Sequence, residues 1–141
     1  MKMPGLRIIL SGLFAIAIHA HAASPSAKLV CHITYGGDTR EIVALPVASP
    51  YEVNAVQIGS YFLFRAVVQD APADIASIKL YVYGDTDAGP VLIHQVDHPY
   101  PPAVPRDPRH GFTGLNRVYE PIRDGELEYW CSWDSRRISV K

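Results

Sequence analysis

The stretch Glu126-Leu127-Glu128-Tyr129-Trp130-Cys131-Ser132-Trp133 alternates without a break. Leu127, Tyr129, Cys131 and Trp133 fall on one side of an extended backbone, and Glu126, Glu128, Trp130 and Ser132 on the other. A period of two belongs to a strand with one buried face, because successive side chains of a strand point to opposite sides. The same period recurs upstream. In Lys28–Tyr35, Leu29, Cys31, Ile33 and Tyr35 oppose Val30, His32 and Thr34. Tyr61–Gln69 groups Phe62, Phe64, Ala66 and Val68, and Ser77–Tyr83 sets Ile78, Leu80 and Val82 against Lys79, Tyr81 and Tyr83. Arg40–Val47, Val53–Ile58, Val91–Val96 and Val118–Ile122 supply shorter or weaker runs.

Turn residues divide these runs. Gly36-Gly37-Asp38 predicts a tight hairpin, Gly84–Pro90 a second and longer one, and Asp124-Gly125 a turn into the last strand. Such residues supply positive φ or preset turn geometry. Asp70–Ala76 has room for one helical turn, and no stretch sustains a helical period. Short strands at regular spacing without a long helix predict an all-β, single-domain antiparallel β-sandwich over residues 23–141, immunoglobulin-like or transthyretin-like, with a small barrel as the alternative. His98–His110 (HPYPPAVPRDPRH) holds five prolines, which predicts a semi-rigid surface loop without regular pairing.

Residues 1–22 carry the parts of a cleavable export signal. Lys2 and Arg7 give a positive start, Ile8 to Ile18 an apolar run, and Ala20-His21-Ala22 a small-x-small cleavage pattern. The run is too short to span a bilayer, so no membrane span is expected after cleavage. Removing 22 of 141 residues leaves 119. Lys2, Arg7 and both methionines go with the leader, leaving eleven basic side chains against fourteen acidic ones, a net charge of −3. No clustered basic face remains for nucleic acid. The expected localisation is export, periplasmic or secreted. An oxidising compartment pairs thiols within reach, so Cys31 and Cys131 are expected to form a disulfide between the first strand and the last. A redox pair at C-x-x-C spacing is absent.

Chemistry-bearing patterns are sparse. The sequence has no G-x-S-x-G elbow, no H-E-x-x-H and no phosphate-binding glycine loop. Asp85-Thr86-Asp87-Ala88-Gly89 lacks the later ligands of a calcium loop and fits a solvated turn. A non-enzymatic binding or accessory protein is the expectation, needing no cofactor and holding a protein or small-molecule partner in the export compartment. Two places suit it. Tyr81, Tyr83 and Trp130 could form an aromatic face, since each offers a broad apolar body with a polar tip. The irregular stretch His98–Asn116 includes Gly111-Phe112-Thr113-Gly114, which reads as a turn anchored by Phe112, followed by Asn116. Long loops on rigid sandwiches are common binding places. The alternative is a periplasmic copper- or zinc-handling protein in which the loop folds back to bring His94, His98 and His110 together, an imidazole set suited to either metal.

Overall fold

The computed structural model describes residues 27–103 and 108–135, where the alternation resolves into two facing sheets. The leader, residues 1–22, lies outside the described residues. Strands β1 (Lys28–Tyr35), β2 (Asp38–Ala44), β8 (Asn116–Glu120) and β9 (Gly125–Asp134) form one sheet in the order β2-β1-β9-β8. The other contains β3 (Pro46–Val47), β4 (Val56–Ile58), β5 (Phe62–Gln69), β6 (Ser77–Thr86) and β7 (Gly89–Pro99). Its order is β3-β5-β6-β7, with β4 also paired to β5. Pairing between these strands is antiparallel except for the two-residue β3–β5 contact. Helical structure among the described residues is limited to three-residue 3-10 turns.

The periodic residues are the core. Leu29, Cys31 and Ile33 on β1 and Leu127, Tyr129 and Cys131 on β9 face Phe62, Phe64, Ala66 and Val68 on β5 and Ile78, Leu80 and Val82 on β6. All are buried. Each large apolar side chain so placed contributes about 1.5–3 kcal/mol relative to exposure. The disulfide joins Cys31 and Cys131, which sit directly opposite each other on neighbouring strands with Cα atoms 4.0 Å apart. The bridge therefore lies within one sheet, whereas the antibody-domain bridge joins two. It closes a separation of 100 residues. In the chain-entropy account that restricts the unfolded chain by up to about 4.7 kcal/mol.

Local chemistry explains where strands stop. Gly36 and Gly37 both have positive φ, 62° and 86°, giving a two-residue hairpin whose twist matches the flanking strands. Arg40–Val47 is two strands in different sheets, because the chain changes sheet at Leu45-Pro46. Arg65 holds the connection between β3 and β4 by donating from Nε to the Val53 carbonyl at 2.8 Å and from Nη2 to the Pro50 carbonyl.

The second hairpin is tighter than its seven turn-type residues suggest. β6 runs on to Thr86 and β7 starts at Gly89, leaving only Asp87-Ala88 between them. The Thr86 hydroxyl closes the turn on the Gly89 carbonyl at 2.7 Å. Gly84 lies within β6, opposite Val91 of β7, and buried Glu120 packs beside it with Cγ 3.4 Å from where a Cβ would stand. The Glu120 carboxylate in turn accepts the Ile122 and Arg123 amides at 3.2 and 2.9 Å, building the β8–β9 turn. β7 also continues past the expected Val96 to Pro99. It is an edge strand, where a proline's missing N–H costs no ladder bond. Pro108–His110, at the end of the proline-rich stretch, forms a 3-10 turn.

Candidate functional site

β7 closes one side of the sandwich with inward-facing rings. His94 Nε2 lies 2.8 Å from the Tyr129 hydroxyl. His98 meets Phe112 edge to face, centroids 5.1 Å apart. Tyr100 meets Trp133 the same way at 5.6 Å. This seam joins β7 to β9 and to the crossover between β7 and β8. Burial lowers the pKa of His94, and it lowers that of His98 against an opposing effect of Asp97. Burial also pushes the Tyr129 phenol well above its usual range. All three groups are therefore neutral at neutral pH.

The crossover returns to β9 and is pinned at Cys131. Gly111 adopts φ +59°, and a Cβ there would overlap the Cys131 carbonyl. Only glycine permits that approach. The Phe112 amide donates to the same carbonyl at 3.1 Å, and the Cys131 amide donates to Thr113 Oγ1 at 2.8 Å. Gly114, φ +69°, then turns the chain into β8. The bridged cysteine is thus the fixed point on which the crossover rests.

Beside this anchor lies a cleft of about 250 Å³ lined by Pro102, Ala103, Pro108, Phe112, Ser132 and Trp133, together with Gly111 and Ser135. Its walls are rings and prolines, and its floor is the end of β9. The backbone there has a definite polarity. Cys131 turns both its N–H and its C=O away from β1 and toward the crossover. Peptide groups on a strand alternate sides, so Trp133, two residues on, turns its N–H and C=O the same way. β8 does not reach this far, since its last partner on β9 in this direction is Tyr129. Among the described residues no strand lies beside Trp133 on that side, and the cleft occupies the place.

Phe112 lines the cleft. Asn116 does not face it: its amide donates back to the Thr113 and Gly114 carbonyls at 3.5 and 3.1 Å and shapes the turn. Tyr81 and Tyr83 do share a stripe, with rings 6.2 Å apart and Arg65 over Tyr81. Trp130 is not part of that face. It sits on the outer face of the other sheet, because β9 and β6 belong to opposite layers of the sandwich. There it stacks on His32 at 3.8 Å and meets His110 at 6.0 Å.

The three histidines do not converge either. His94 and His98 face inward from β7 toward different partners, whereas His110 lies beyond β9 against outward-facing Trp130. Among the described residues no group of three or more His, Cys, Asp or Glu side chains is arranged to hold a metal ion. The chain matches no known protein family, no curated protein and no solved structure.

Two site residues escaped the sequence reading. Period two puts Trp133 on the core face, but its position at the open end of β9 depends on where β8 stops, a tertiary fact. Tyr100 was hidden among prolines. Its pairing with Trp133 needed β7 to extend as far as it does, and the Val91–Val96 run carried no signal for that.

Proposed function

We propose that this chain is an exported, non-enzymatic binding module that takes an extended polypeptide segment along the open end of β9. The observation that carries the reading is the juxtaposition at Trp133. A backbone donor and acceptor at a strand edge face a cleft walled by Phe112, Trp133, Pro102 and Pro108. Added strands bind through main-chain bonds for affinity and through alternate side chains in pockets for choice of partner. A cleft of this size holds one apolar or aromatic side chain of such a segment. Rigidity supports the same reading, because a preorganised site loses little freedom on binding. Here the cleft wall is bonded to a disulfide-bridged residue. The bridge and the lack of a membrane-crossing helix among the described residues are compatible with export.

Selection of displayed linear peptides of about twelve residues against the oxidised protein tests this, with the best binder measured again on variants. Trp133→Ala and Phe112→Ala are expected to weaken that binder at least about tenfold, the scale of losing a buried aromatic contact. Tyr83→Ala is expected to leave it unchanged. A binder insensitive to Trp133 and Phe112, or one lost with Tyr83, would overturn the assignment.

A further inference from the structure

His98 is held in an unusual way. Its register partner on β6 is fully buried Ile78, so its imidazole points between the sheets. Its Nε2 is buried and has no hydrogen-bond partner. Neutral imidazole tolerates this when Nε2 is the bare nitrogen and the single proton sits on Nδ1. A second proton would have to go onto Nε2. That would put a charged N–H donor where no acceptor waits, and an unpaired buried charge is far costlier than an unpaired neutral acceptor.

We propose that His98 is a proton-operated latch on the crossover cleft: neutral, it holds Phe112 as the cleft's inner wall, and protonated, it lets that wall go. The inference rests on the peptide-binding reading of the cleft and adds its regulation. Phe112 is the shared element, touching His98 by one aspect and lining the cleft by another. The groups around His98 offer the new charge no partner inside. On its own strand, Asp97 points to the outer face, opposite Lys79 of β6, and His94 is engaged by Tyr129. β6 presents Ile78 and Leu80 inward. β9 presents Tyr129 and the bridged Cys131, neither charged. The crossover presents Phe112, while His110 lies on the far side of β9 against Trp130. The carboxylate of Glu120 on β8 is already bound by two turn amides. The imidazolium therefore turns outward to reach water and Asp97, and the edge contact with Phe112 is lost. The Phe112 amide stays bonded to the Cys131 carbonyl, so the side chain moves while the crossover backbone holds.

The test uses the oxidised wild-type protein and two independent readouts between about pH 7.5 and about pH 5, the range in which histidine titrates. In the free protein, ring resonances of Phe112 are expected to shift with the same midpoint as those of His98, while backbone amides of β1 and β9 stay in place. Phe112 resonances that do not follow His98 overturn the latch, whatever binds. The affinity of the selected peptide is expected to fall at least about fivefold over the same range, the lower end of ordinary coupling between linked equilibria. His98→Phe, uncharged and still aromatic, is expected to keep the neutral-pH affinity and abolish the fall. An unchanged fall in that variant also overturns the latch. A coupled Phe112 and His98 titration in a protein that binds no peptide at any pH would instead retain the latch and remove the peptide reading.

Discussion

Gly111→Ala and Gly114→Ala make a matched pair. Both glycines have left-handed backbone, φ +59° and +69°, within one short loop. An alanine at Gly114 meets nothing within 4 Å, whereas one at Gly111 meets the Cys131 carbonyl and the Ser132 Cα. Holding a non-glycine residue in the left-handed region costs about 1–2 kcal/mol, and that is all Gly114→Ala should lose. Gly111→Ala adds a collision with backbone that no rotamer change relieves. The crossover must lift from β9, and the Phe112–Cys131 and Cys131–Thr113 bonds go with it. At about 0.5–1.5 kcal/mol each, these bring the total to roughly 2–5 kcal/mol. Urea denaturation of the oxidised proteins, with midpoint and slope fitted together, measures both values. In a domain of this size the difference also appears as several degrees in melting temperature. Equal losses in the two variants would refute the claim that the crossover is pinned by contact with the bridged strand.

Three further outcomes follow from the same geometry. Alkylation of the folded protein without reductant is expected to label neither cysteine, and replacing both with alanine to cost up to about 4.7 kcal/mol by denaturation, because the closed loop is long. Tyr129→Phe removes the hydroxyl that meets the half-buried His94 Nε2; the expected loss is about 0.5–1.5 kcal/mol in the same assay. The folded-state pKa values of His94 and His98 are depressed below 6.5, so the unfolded chain takes up protons first as pH falls. Their contribution is complete above about pH 6.5 and is lost progressively as pH drops through the window below it. Stability measured across that window should decline, and His98→Phe should make the decline shallower.

Period-two patterning made the sandwich legible, because a half-buried strand writes its inward face into every second residue. The 127, 129, 131 and 29, 31, 33 series became neighbouring core columns of one sheet, facing β5 and β6, and the disulfide was expected from the export reading and strand position. The site was less legible. Tyr81, Tyr83 and Trp130 look alike in sequence, yet sheet order puts them on opposite outer faces, and alternation says nothing of which strands share a sheet. The histidines failed for a related reason. Proximity in the chain did not reveal that β9 passes between His110 and the other two. Gly111 carried a real signal, two glycines bracketing Phe112, but the carbonyl it packs against comes from twenty residues away.

Amide hydrogen exchange at Trp133 bears most directly on the proposed binding edge. In the free protein the Trp133 N–H should exchange quickly, while those of Trp130 and Ser132, which alternation directs toward β1, stay protected. Adding the selected peptide should then slow Trp133. A Trp133 amide already protected in the free protein, or one that stays fast when the peptide is bound, would contradict the account.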